Sequence, residues 1–366
     1  MTEALLDATL AQLRALVMFD TRNPPRMIKT DGLFDHLRAQ LADFDVRVAD
    51  HGAGAVSLLA VRGQPELLFN VHLDTVPDSP QWSVDPFELQ VAGERATGLG
   101  ACDIKGAAAA LLAVAAATEG DMALLFTTDE EGADPRCVRA FLDGGHGFAN
   151  VLVAEPTRCK AVLAHRGIQS VRVRFQGRAG HASIEQKPAD SALHQAVRWG
   201  AAALDFAEAQ SAREFGGLRG LRFNLGRLEG GIKANMVAPD AEIRFGVRPL
   251  PSQDMDDLLG RMRTLTYPAP VEFEETFRGP PLPAGHELAN ECLQDAQALA
   301  GRLGIQVGAA VDFWTEAALF SRAGCTSFVY GPGDIAQAHG ADEWVELAQL
   351  DHYARAIHRI VEGGLA

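Results

Sequence analysis

Five short clusters in the sequence contain residues able to bind cations or move protons. They are His72 and Asp74 in NVHLDTV, Asp103 in TGLGACDIKG, Asp129, Glu130 and Glu131 in FTTDEEGA, Glu155 in VLVAEPTR, and His339 in GPGDIAQAHGADEW. Two residues apart on an extended segment, His72 and Asp74 share one face. A carboxylate beside a metal-binding imidazole commonly orients the ring and fixes its tautomer. Adjacent acids leaving a strand point apart, so one carboxylate of the Asp-Glu-Glu run can bind metal while its neighbour faces substrate. Each cluster also has an ordinary reading: H-x-D occurs in polar loops, consecutive acids in solvated turns, and a lone Glu or His on any surface. The glycines before Asp103 suggest a phosphate loop, but the dinucleotide fingerprint is incomplete and no Gly-Lys-Ser/Thr follows. They equally let the backbone carry Asp103 into a crowded site. Cys102 reads as a small buried neighbour. As a set, His72, Asp103, Glu131, Glu155 and His339 offer two imidazoles and three carboxylates. Such a set suits two zinc-like ions about 3.5–4 Å apart, bridged by one carboxylate and by a water or hydroxide.

The elements that must position these residues follow from local pattern. Leu67 to Val71, Ala123 to Phe126 and Val151 to Ala154 are short apolar runs that read as buried strands. KGAAAALLAVAAAT, between the first two, is rich in alanine and leucine and reads as a helix. Alternating strands and helices imply a mostly parallel sheet covered on both faces. Four of the five clusters follow a predicted strand, and open α/β sheets bind ligands outside the carboxyl ends of their strands.

Between about Gly167 and Phe277 the pattern changes to strand, helix, strand, strand, helix, strand. This βαββαβ order is the ferredoxin-like arrangement of a small two-layer domain. Three of its strands alternate polar and apolar residues, as a sheet with one wet face requires. Thr326 to Tyr330 and a final helix, Leu347 to Val361, return to the α/β pattern. The expected fold is therefore a two-domain α/β protein: a catalytic domain of residues 1–166 and 278–366 with a mixed, mostly parallel sheet, and an inserted domain of 167–277.

Composition excludes other classes. A formal net charge of −15 argues against nucleic-acid binding, which needs a basic face to neutralise phosphate. No apolar stretch reaches the roughly 18 residues of a membrane span. The five cysteines are scattered and contain no C-x-x-C pair, a pattern that fits a reducing compartment. The N-terminal segment carries early acids and amphipathic spacing, so it reads as a surface helix, and a cytoplasmic location is expected.

At HLD, GLGACDIKG, DEEG, AEPT, GRAGHAS, GGIKAN and GPGDIAQAH, in that order, the chain resembles the M20 metallopeptidase family of acylases, desuccinylases and dipeptidases. The resemblance covers nearly the whole length. It implies two divalent ions, with zinc the expected metal and cobalt also suited, and a homodimer formed through the inserted domain acting as a lid. His72 and Glu155 would complete one metal site, Glu131 and His339 the other, with Asp103 bridging. Asp74 would brace His72, and Glu130 would act as general base and then pass the proton to the leaving nitrogen. His181, in GRAGHAS, would steady the tetrahedral oxyanion, reaching the partner subunit's site as in relatives. Asn235 and Arg248 match positions that hold substrate; Arg248 can grip an α-carboxylate bidentately, although it also reads as an outward-facing strand arginine.

GGIKANM, AVDFWTEA and VYGPGDIAQAH look most like the acetylornithine deacetylase branch of the family. The implied partner is a small N-acylated amino acid, N-acetyl-L-citrulline in arginine biosynthesis first and N-acetyl-L-ornithine as the alternative. A dipeptide or succinylated substrate uses the same metals, but a desuccinylase needs a further cationic anchor that the sequence does not display. A metal-free homologue that binds amino-acid derivatives without turnover is disfavoured by the complete ligand set with Glu130. One departure affects the pocket: the segment from Asp312 to Glu316 replaces a Gly-Gly-Thr-Asp-Ala type sequence found in many relatives.

Overall fold

The computed structural model describes residues 2–25, 28–132, 134–145, 147–183 and 185–364. The chain divides into two compact units, the first of 1–163, 292–309 and 315–366, the second of 164–291 and 310–314.

The first unit is built on a six-stranded sheet. Its order is Asp45–Asp50, Val56–Arg62, Met122–Thr127, Leu67–His72, Asn150–Val153 and Thr326–Val329. The first two pairings are antiparallel and the remaining three parallel, so four neighbouring strands run the same way. Leu67–His72 and Met122–Thr127 are buried at every position. That is why they read as unbroken apolar runs instead of alternating ones. The helix Lys105–Ala117 is buried from Lys105 to Ala115 and packs against the helices Thr2–Val17 and Leu347–Gly363. Small alanines allow this close approach and stabilise the helix by propensity. Leu13, Leu16, Phe69, Val71, Leu111, Phe126, Tyr353 and Ile357 belong to the resulting core.

The second unit has the expected βαββαβ order. Its four-stranded antiparallel sheet runs Arg222–Gly230, Asp240–Arg248, Ile168–Gln176, Glu272–Gly279. Alternate residues of Ile168–Gln176 and Asp240–Arg248 are buried, among them Val171, Val173, Ile243 and Phe245. They form a core with Trp199 of the helix Ala192–Glu208 and Met262 of the helix Met255–Arg263. The Trp199 indole donates to the Met262 carbonyl at 3.0 Å, so the buried ring leaves no polar atom unmatched. Ser191 and Asp254 cap the two helices through their side chains. Two ladders of two residues each join the unit: Gly180–His181 with Met236–Val237, and Glu214–Phe215 with Leu218–Arg219. Elements this short have no periodicity to read in a sequence.

Candidate metal centre

Parallel pairing of four strands puts their C-terminal ends on one edge of the sheet. Leu67–His72 ends in His72, Met122–Thr127 leads into Asp129–Glu131, Asn150–Val153 leads into Glu155, and Thr326–Val329 leads toward His339. Asp103 arrives from the turn that precedes the helix Lys105–Ala117. The five residues expected to bind metal come together in two groups that share Asp103: His72, Asp103 and Glu155; and Asp103, Glu131 and His339. Asp103 Oδ1 lies 3.2 Å from His72 Nε2, and its other oxygen, Oδ2, lies 3.2 Å from His339 Nε2. Glu155 Oε2 is 3.9 Å from His72 Nε2, and Glu131 Oε1 is 2.9 Å from His339 Nε2.

The two groups differ in exposure. His72, Asp103 and Glu155 are all buried, whereas the His339 side chain is 49% exposed. His339 also has φ +58°, a left-handed backbone that non-glycine residues adopt only when their surroundings hold them there. The loop that carries it must pack tightly. A Cβ on Gly331 would lie 2.4 Å from the Glu155 carbonyl oxygen, and one on Gly333 would lie 2.6 Å from Cys102 Sγ. Glycine is required at both positions for the loop to reach its seat.

Charge is concentrated here. Burial disfavours a charged His72, yet the carboxylates of Asp103, Asp74 and Glu155 outweigh it and hold the ring well above the ordinary imidazole range. Hydrogen bonds to Asp103 and Glu131 push His339 up to about 11. Asp103 is itself held below the usual carboxylate range, because both imidazoles outweigh its burial. Burial raises Glu155 to about 7, partly offset by His72. It also raises Glu131, and it raises the half-buried Glu130 well above the usual range with Glu155 adding repulsion. Carboxylates crowded this closely repel unless cations lie among them. Each group offers one imidazole and two carboxylates, with one oxygen of Asp103 facing each, and this donor set fits a pair of divalent ions.

Around these residues the structure separates the acids by what they touch. Asp129 Oδ2 accepts from the amides of Arg136 and Cys137 at 2.6 and 2.9 Å, fixing the start of the helix Arg136–Asp143. The Asp74 carboxylate accepts from the amides of Glu130 and Glu131 at 3.3 and 3.0 Å, and from Asn23 Nδ2 at 2.8 Å. His72 Nδ1 sits 2.9 Å from the Asp74 main-chain carbonyl and 3.5 Å from its carboxylate. A neutral ring held this way donates from Nδ1 and keeps the Nε2 lone pair for a metal. Asp74 therefore positions the Glu130–Glu131 turn as well as bordering the ring. Cys102 Sγ faces the Asp334 carbonyl at 3.4 Å and belongs to neither ligand group. The Lys105 ammonium donates to the Phe19 carbonyl at 3.0 Å, and burial lowers it to about 8.

Sequence reasoning missed two contributors here. Asn23 lies 51 residues from the Asp74 carboxylate it supports. Glu316, noted in the sequence only as a replacement, is a buried carboxyl that accepts from Thr127 Oγ1 at 3.1 Å; burial and Asp129 push it well above the usual range.

In the second unit, His181 is exposed, and its Nδ1 accepts from the Ser183 amide at 3.3 Å and lies 2.7 Å from Ser183 Oγ. A neutral ring with Nδ1 accepting carries its proton on Nε2, which makes Nε2–H a donor. The Asn235 carbonyl accepts from the Ala182 amide at 3.0 Å, so Asn235 sits beside the His181 ladder. Arg248 is half-buried at the end of its strand, and burial lowers its guanidinium against the opposing pull of Asp312. The fully buried Arg166 side chain pairs with Asp312 and donates to the carbonyls of Gly220 and Arg219, at 2.5 and 2.7 Å.

The family described as Peptidase family M20/M25/M40 matches residues 68–363. An N-acetyl-L-citrulline deacetylase of Xanthomonas campestris pv. campestris is 61% identical over 98% of this chain and 99% of its own length. An acetylornithine deacetylase of Klebsiella pneumoniae is 28% identical over 85% of this chain and 80% of its own. Among solved structures, the aminopeptidase PepT of Bacillus cereus superposes with a TM-score of 0.74 at 17% identity, covering 98% of both chains. A dinuclear metal-binding M20 peptidase of Bacillus subtilis superposes with a TM-score of 0.68 at 15% identity, covering 99% of both chains. At these identities the two structures speak to the fold alone.

Proposed function

Because the chain belongs to peptidase family M20/M25/M40, we propose that it hydrolyses N-acetyl-L-citrulline to acetate and citrulline, a step of arginine biosynthesis. The observation that carries this reading is 61% identity, nearly end to end, with a relative named for that activity. The alternative substrate, N-acetyl-L-ornithine, has its support in relatives near 28% identity. The two substrates differ in side-chain charge, and a site that pairs one leaves buried groups unmatched with the other. Comparing kcat/KM of the zinc- or cobalt-loaded protein on both tests the assignment. A large preference for N-acetyl-L-citrulline is expected; a preference for N-acetyl-L-ornithine would overturn it.

In this reading His72 and Glu155 would hold one divalent ion and Glu131 and His339 the other, with Asp103 shared between the two groups. Zinc suits mixed imidazole and carboxylate ligands, as do cobalt and manganese. Ions bound there supply Lewis-acid polarisation of the amide carbonyl and a lowered pKa for the attacking water. Glu130 takes the proton from that water as its oxygen adds to the acetyl carbon. It then delivers the proton to the amide nitrogen as the carbon–nitrogen bond breaks. As the resemblance implies, His181 would donate from Nε2 to the tetrahedral oxyanion in the partner subunit's site, and Asn235 and Arg248 would hold substrate, Arg248 by its α-carboxylate.

The second unit serves as lid and dimer interface. Support for this role is the edge strand Arg222–Gly230, exposed along most of its length, with Leu228 48% exposed and, on the neighbouring helix, Val197 56% exposed. Long exposed edge strands invite pairing with another chain. Sedimentation of the purified protein at micromolar concentration should give a dimer. The cytoplasm is the proposed compartment, in keeping with five free cysteines. Among the described residues no helix is long and apolar enough to cross a membrane.

A further inference from the structure

Of the carboxylates near the metal centre, one belongs to neither ligand group yet bonds directly to the backbone of the shared ligand. Glu343 is 3% exposed. Its Oε2 accepts from the Gly100 amide at 2.9 Å, and its Oε1 accepts from the amides of Cys102 and Asp103 at 2.8 and 2.9 Å. Its main-chain carbonyl accepts from Gly98 at 3.0 Å. One residue thus fixes four amides of the turn that ends in Asp103.

Glu343 also lies four residues after His339, at the far end of the His339 loop. That end is anchored again on either side. Asp342 accepts from the Ser83 amide at 2.8 Å, and Trp344 pairs with Thr97 in an antiparallel ladder. The near end of the loop packs at Gly333 against Cys102. Both ends of the segment carrying His339 are therefore seated on the turn carrying Asp103.

We propose that Glu343 is a positioning residue that locks the Asp103 turn and the His339 loop together and so sets the geometry of the Asp103–Glu131–His339 metal site. The inference rests on the two-site reading above. A carboxylate is the side chain that fits, because its two oxygens accept three amides at once. Glutamine would offer one acceptor and turn an amino group toward N–H donors. Glu343 fixes two of the three ligands at the His339 site but only Asp103 at the other. His72 ends one strand and Glu155 lies two residues beyond another, and the Glu343 side chain bonds to the backbone of neither segment. Loss of Glu343 should therefore affect the two sites unequally.

The test is a titration of the full-length, chelator-treated protein with Co(II), followed by visible absorption and calorimetry. Wild type, Glu343→Gln and Glu343→Asp are compared, the last keeping the charge on a side chain one methylene shorter. Wild type should take up two equivalents. In Glu343→Gln the second equivalent should weaken about 10–100-fold, the range seen when groups supporting metal ligands are lost. The first should weaken severalfold less, and Glu343→Asp should show the same inequality in milder form. If Glu343→Gln does not fold, Glu343→Asp decides. Equal weakening of both equivalents, as general destabilisation would give, overturns the proposal, and so does unchanged affinity for both. A wild type that binds fewer than two equivalents sinks the two-site reading itself, which is a distinguishable failure.

Discussion

The two halves of the candidate metal centre offer the same side-chain types on different supports. His72 and Glu155 stand at or just beyond the ends of neighbouring parallel strands and are buried. Glu131 sits in a turn held by Asp74, and His339 sits half-exposed in a loop with a left-handed backbone. Ligand type sets which metals fit, whereas support sets how much order binding must create. The strand-end half is preorganised by the sheet core. The loop half depends on hydrogen bonds from residues outside it. The strand-end site should therefore fill first and the loop site second.

Removing the shared ligand erases the comparison. Asp103→Ala should abolish tight binding of both ions and reduce turnover to background, as checked by metal analysis and a deacetylation assay. Glu130→Gln should leave both sites filled while lowering kcat by about a hundredfold to ten-thousandfold, the span typical of general acid–base groups. Wild-type turnover in that variant would remove Glu130 from the chemistry. His181→Ala should lower kcat by about a hundredfold to a thousandfold, as loss of an oxyanion donor does, with metal content unchanged.

Two further outcomes sharpen the difference between the halves. His339→Ala should lose the second equivalent and keep the first, whereas His72→Ala should disturb the tighter equivalent. Indistinguishable titration curves for the two variants would contradict the unequal pair. The smallest effect concerns pH. His339 is raised to about 11 without metal, so below that pH an ion must displace its proton. Affinity at this site should fall as pH falls, approaching about tenfold per unit for one displaced proton. Calorimetry in buffers of different ionisation enthalpy reads the proton release directly.

Much of this candidate centre was legible in the sequence because four of the five clusters follow an apolar run that predicts a strand, and a parallel sheet brings strand ends together. The βαββαβ order was legible for the same reason, since alternation in SVRVRF and AEIRF marks a sheet with one wet face. Less legible were the bonds between distant segments. Asn23 reaches Asp74 across 51 residues and Glu343 reaches Asp103 across 240. Neither carries a local pattern, because a side chain that accepts from a distant amide leaves no period in its own neighbourhood. The Asp-Glu-Glu run shows the same limit: the sequence set Glu131 among the ligands and the resemblance made Glu130 the base, but neither gave Asp129 a partner, and tertiary contacts turn it to a helix start while the Asp74 carboxylate fixes the amides of Glu130 and Glu131.

The most direct test of the unequal, shared centre is anomalous diffraction at the zinc edge from crystals loaded with one and then two equivalents. The account predicts two peaks about 3.5–4 Å apart flanking Asp103 at two equivalents, and a fuller peak on the His72–Glu155 side at one. A single peak at two equivalents, or preferential filling on the His339 side at one, would contradict it.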